Sequence, residues 1–168
     1  MTRMYVPTSV PRLRDILAGR TVPVGAALAV DDARRRELPD WSEEDLEYLV
    51  LQDAALRAVH LLAADTGAGD DSAPGTDAGP VPVRAVIAVD VSDRTADDSV
   101  PWSAVAAIHL DAAEAGPAVA AAVQAVRSGR PATDELDALL DIDLAWFTPG
   151  EIAFALDDLD AGREPGER

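Results

Sequence analysis

A chain of 168 residues with two histidines and no cysteine has few side chains able to do chemistry. His109 stands in the run Val105-Ala106-Ala107-Ile108-His109-Leu110-Asp111, an apolar strand that ends in an imidazole and a carboxylate two positions apart. Alternation places two such residues on one face of a strand. Other apolar runs also end in acids: Asp90 closes the run from Val81, and Asp141 and Asp143 flank Ile142 before Trp146. Gathered along one sheet edge, carboxylates with one imidazole suit Mg²⁺ or Mn²⁺, or an acid/base pair in a hydrolase. The catalytic candidates are therefore His109, Asp111 and Asp143, and the candidate ligands for a divalent cation are Asp90, His109 and Asp111. Spacing alone does not make acids on different strands converge, and antiparallel pairing would put Asp90 and Asp111 at opposite ends.

Each of these residues also has a structural role open to it, and that role is favoured. His109 reads as a partly buried, hydrogen-bonded histidine, Asp111 as a turn or cap residue, and Glu151 as a capping partner. His60 reads as a residue at the edge of a helix's apolar face. Tyr5, Trp102, Trp146 and Phe147 read as core, although with only 4% aromatic residues a solvent-exposed Trp would be informative.

No strand is followed by GxGxxG, and no phosphate loop, HExxH, GxSxG or EF-hand loop occurs. All 14 basic residues are arginine and there is no cysteine, so Schiff-base chemistry on lysine and thiolate chemistry are both excluded. A formal charge of −17 opposes phosphate backbones and anionic membrane surfaces. Nucleic acid and membrane are therefore not expected as partners; a basic protein, a divalent cation or a second copy of the chain is compatible with the charge and the sheet edge. The absence of cysteine, of an apolar run near the roughly 20 residues of a membrane span, and of a secretory h-region at Met1–Pro7 points to a cytoplasmic protein.

The elements that must position the candidates follow from periodicity. Arg3–Val6 reads as a strand closed by Pro7, and a helix follows with Thr8 or Ser9 as cap, Pro11 in its first turn and Leu13, Ile16 and Leu17 on one face. Val22–Val30 reads as a second strand. The next helix is the best specified: Ser42 caps it, Asp45 is the capping partner, Trp41 and Leu46 form a hydrophobic staple, and Glu43, Glu44 and Glu47 crowd the turn that the dipole makes receptive to negative charge. It runs to Ala64. Asp65–Pro80 is rich in Gly, Asp and Pro and reads as a flexible acidic loop inside one domain.

Val81–Val91, apolar on both faces, reads as a central strand covered on both sides. The short acidic link Ser92–Ser99 then favours antiparallel pairing with the strand ending in Asp111. Gly116 as cap and Pro117 at the first helical position open a helix through Val119, Val123 and Val126. Thr133–Leu140 reads as a short helical turn, and Ile142, Leu144 and Trp146 alternate as a last strand. Thr148-Pro149-Gly150-Glu151 opens a final helix, and 161–168 reads as a disordered tail.

The order βαβα-loop-ββαβα implies one α/β (α+β) domain over 1–160, a mixed sheet of about five strands with helices packed on it. Four stretches, Arg3–Pro7, Asp45–Tyr48, Ala107–Glu114 and Leu144–Glu151, together resemble a family of small actinobacterial proteins of unknown function. In place of the tyrosine of that family's pattern the chain has Phe147. The resemblance implies an actinobacterial cytoplasmic origin and brings no activity, cofactor or catalytic residue with it. Without catalytic signatures, and with an acidic surface, the expected function is a non-catalytic interaction or regulatory module; the alternative is a small metal-assisted hydrolase using His109, Asp111 and a further acid.

Overall fold

A computed structural model describes residues 1–65, 81–92 and 98–162. Most of the loop expected over 65–80, the middle of the 92–99 link and the tail beyond Gly162 lie outside them. A five-stranded sheet has the order β3-β1-β4-β6-β7, formed by β3 (Leu28–Ala29), β1 (Thr2–Ser9), β4 (Arg84–Val91), β6 (Val105–Leu110) and β7 (Ala145–Phe147). β4 lies at its centre, and its burial on both faces is what an unbroken Val/Ile/Ala run requires. Every neighbouring pair is antiparallel, so the expectation of a mixed sheet is corrected to an antiparallel one. No single-helix βαβ crossover joins neighbouring parallel strands; the link from β1 to β4 passes through β2 (Thr21–Pro23), β3 and three helices.

Alternation sorts the two faces. Val6, Ile87, Val89, Ile108, Leu110 and Phe147 point to α1 (Val10–Gly19) and α6 (Ile152–Asp160), where Leu13, Ile16, Ile152 and Leu156 complete one core. Tyr5, Val86, Ala88 and Ala107 point the other way, against Val50, Ala54 and Ala55 of α3 (Glu43–Asp65). The small alanines let α3 approach the sheet closely. Beyond the sheet, α3 packs through Val59, Leu62 and Ala63 on α4 (Gly116–Arg127) and α5 (Thr133–Leu140). The result is a three-layer sandwich whose second layer of helices extends past the strands.

Several local expectations are met and others are moved. Ser42 and Asp45 form the reciprocal capping box: the Asp45 N–H donates to Ser42 Oγ (3.2 Å) and the Ser42 N–H to the Asp45 carboxylate (3.1 Å). Leu46 is buried, but Trp41 remains 47% exposed. Strand β1 does not stop at Pro7. Its pairing with β3 ends at Tyr5, so further along one side of β1 is an edge where a missing N–H breaks no ladder. The run Val22–Val30 divides: β2 leaves the main sheet to pair with β5 (Ser99–Pro101), and Leu28–Ala29 alone joins β1. A short helix α2 (Asp32–Glu37), capped by Asp31, follows where no element was expected.

The last strand is also shorter than alternation implied. Asp141 and Asp143 lie outside it, because α5 continues to Leu140 and the Ile142 N–H turns back to the Leu139 carbonyl (3.3 Å). α4 begins at Gly116, one residue before the expected start.

Candidate functional site

The site residues are best followed along the sheet face that α3 covers. Register aligns Pro7, Val86, His109 and Trp146 across four strands, and one row away it aligns Tyr5, Ala88 and Ala107. A third row holds Arg3 opposite Asp90. His109 therefore stands on the α3 face between Val86 and Trp146, in a half-buried position and with no side-chain hydrogen bond among the described residues. Burial, reinforced by the positive charge of Arg3, lowers its pKa from 6.5 to about 4, so the ring is neutral near pH 7.

Asp111 is occupied elsewhere. Arg84 and Asp111 are 0% and 1% exposed, the only oppositely charged pair among the described residues buried to that degree. The Arg84 backbone N–H donates to Asp111 Oδ2 (2.6 Å), its Nε to Oδ1 (3.0 Å) and its Nη2 to Oδ1 (2.7 Å). Two further guanidinium N–H groups donate to carbonyls, Nη1 to Leu139 (3.3 Å) and Nη2 to Ile142 (3.2 Å). Antiparallel pairing brings the two together, since Leu110 faces Ala85 and the Asp111 N–H donates to the Arg84 carbonyl (3.2 Å). One ion pair thus joins the start of β4 to the end of β6 and to the turn after α5. Arg84 was missed in the sequence, although an arginine opening an apolar central strand signals a buried acid nearby.

The same antiparallel register separates the proposed metal ligands. Asp90 lies at the other end of β4, held by Arg3 through Nε to Oδ1 (2.9 Å) and Nη2 to Oδ2 (3.0 Å). Arg3 also lies 3.8 Å from Glu47, to which the Tyr5 hydroxyl donates (3.3 Å); burial first, then the Glu47 charge, raises the Tyr5 pKa. Asp90, His109 and Asp111 are not brought together. Among the described residues no three His, Asp or Glu side chains converge as a metal-ligand set.

Asp143 belongs to a different group. It is exposed and accepts the Tyr48 hydroxyl (2.7 Å), whose oxygen in turn accepts from Gln52 Nε2 (2.7 Å). The bond to Asp143, then burial, raises the Tyr48 pKa. This chain fastens α3 to the loop preceding β7. Tyr48 is 50% exposed, and Trp146, three residues beyond Asp143, is 59% exposed. Trp102 and Phe147 are core as expected, and Trp146 is not. Glu151 is the capping partner, accepting from the Thr148 N–H (2.9 Å) and hydroxyl (2.7 Å), and these bonds lower its pKa. His60 is exposed on α3.

Arg84 and Asp111 thus tie strand ends together in the interior, while Tyr48, Asp143 and Trp146 lie exposed near β7. No described helix is long and apolar enough to cross a membrane. No curated protein and no solved structure matches the chain. Residues 2–156 match the family model DUF6912, a family of unknown function. That match covers nearly the whole chain, and the protein belongs to this family.

Proposed function

We propose that the protein is a non-catalytic, cytoplasmic interaction module that presents an acidic, aromatic face to a basic protein partner. The observation that carries this reading is Trp146, an indole left 59% exposed on a strand of the main sheet in a chain with 4% aromatic residues. Trp and Tyr anchor interfaces because they bury a large area at little conformational cost, and Tyr48 is held ready by its bonds to Asp143 and Gln52. Between Pro131 and Gly162 the sequence has nine acidic residues and no basic one, a field that attracts cationic partners and repels nucleic acid. The cysteine-free composition suits a reducing compartment.

A metal-assisted hydrolase built on His109 and Asp111 has less support. The Asp111 carboxylate is taken up by Arg84 in the protein interior, and the His109 ring lies on the face bearing Trp146 without a carboxylate bonded to it.

The test uses immobilised wild type and Trp146→Ala to capture proteins from lysate, followed by titration of each captured protein individually. A basic protein should bind the variant at least about tenfold more weakly than wild type, and binding should weaken as salt rises. Captured proteins that bind both forms equally would sink the reading.

A further inference from the structure

We infer that the free edge of β7 takes up an extended, arginine- or lysine-bearing segment of the partner as an additional antiparallel or parallel strand, with Trp146 and Asp143 as its side-chain contacts. The inference rests on the interaction reading above and specifies how the partner is held.

Strand β7 ends the sheet: β6 is its hydrogen-bonded neighbour on one side, and on the other no described strand pairs with it. No backbone hydrogen bond outside the sheet engages Ala145, Trp146 or Phe147 among the described residues. Proteins commonly protect such an edge with a very short strand, charge, proline or a covering element, and β7 has the first of these, at three residues. Here the flanks are Asp143 and Leu144 on one side and Thr148 on the other, with the nearest proline at Pro149. An edge with unsatisfied N–H and C=O groups is a template for strand addition, in which the main chain supplies affinity and alternate side chains supply specificity.

Charge chooses the occupant. A second copy of this chain would bring another formal charge of −17 to an edge already flanked by Asp141, Asp143 and Glu151. An arginine or lysine side chain on the incoming strand meets a carboxylate at Asp143 and an indole face at Trp146, both of which favour a cation. Phe147 is buried in the opposite face and fixes the strand's orientation, so the Trp146 side of the added strand is the one that carries the cations.

The probe is a short peptide alternating arginine and valine, with two controls: the same peptide N-methylated at alternate residues, and one with arginine replaced by glutamate. Binding to the full chain is followed by fluorescence and by backbone amide shifts. The expected result is saturable binding of the arginine peptide with shifts concentrated at 144–148, at least about tenfold weaker binding after N-methylation, and none by the glutamate peptide. If N-methylation has no effect while Trp146→Ala still weakens binding, strand addition is overturned and the face reading stands. If the arginine peptide binds wild type and Trp146→Ala equally, or neither, both are overturned. Sedimentation showing a dimer that Trp146→Ala dissociates would replace the peptide with a second copy and overturn the assignment.

Discussion

Replacing Asp111 by asparagine should destabilise the protein by roughly 3–5 kcal/mol, because it leaves the Arg84 guanidinium charged and uncompensated in the interior. The geometry sets this size. Asp111 accepts from the Arg84 main-chain N–H, Nε and Nη2, so one carboxylate satisfies three donors of a residue whose side chain has 0% exposure. An asparagine of the same shape can accept through one oxygen only, and its amide protons face a cation. Domains of this kind unfold at about 5–15 kcal/mol, so the loss is a large share of the total. At about 2–4 °C per kcal/mol for a chain of this size, the melting temperature should fall by roughly 6–20 °C.

The double variant Arg84→Met, Asp111→Leu separates a paired charge from a simple packing loss. It removes both charges but leaves the carbonyls of Leu139 and Ile142 without their donor, at a cost of about 1–3 kcal/mol each if they stay dry. The double should therefore remain destabilised, yet by about 2 kcal/mol less than the sum of the two singles. Urea unfolding followed by circular dichroism measures wild type, Asp111→Asn, the singles Arg84→Met and Asp111→Leu, and their double. A cost below about 1 kcal/mol for Asp111→Asn, or strict additivity in the cycle, would refute the claim that this pair locks β4, β6 and the turn after α5.

Three further outcomes follow from other sites. The His109 ring has a folded pKa of about 4 against an ordinary 6.5, so the unfolded chain binds the extra proton and stability falls as pH drops from about 6.5 to about 4. His109→Gln should flatten that decline relative to wild type, and a His109 ring proton titrating near 6.5 in NMR would contradict it. Ser42→Ala should cost about 1 kcal/mol by opening the capping box with Asp45, and a variant as stable as wild type in urea would show that the cap does not matter. Trp146→Ala should leave urea stability within about 0.5 kcal/mol of wild type, because its indole is mostly in solvent; a loss above about 2 kcal/mol would place it in the core after all.

Much of the architecture was legible before any coordinates. The capping box at Ser42–Asp45, the Thr148–Glu151 turn and the doubly buried Ala85–Val89 run are local signals: neighbours a few residues apart carry the information, and the backbone has little choice. The strand ending at Leu110 was legible for the same reason. Where local signals conflicted, tertiary pairing decided. Pro7 reads as a strand end, yet beyond Tyr5 no described strand pairs with the β3 side of β1, which lets β1 continue through it, and the segment Val22–Val30 is divided between two sheets by partners far away in the chain.

The fate of the candidate chemistry also depended on long-range register. Composition and periodicity alone established an acidic α/β domain with a histidine and several aspartates near strand ends. Which acids meet depends on strand direction, and the antiparallel pairing of β4 with β6 carries Asp90 to Arg3 and Asp111 to Arg84, at opposite ends of one strand. Exposure is likewise invisible in a sequence, because alternation assigns Trp146 and Phe147 to opposite faces without saying which face is covered. Only the folded chain, with α6 beneath Phe147 and open solvent over much of Trp146, makes Phe147 core and leaves Trp146 exposed.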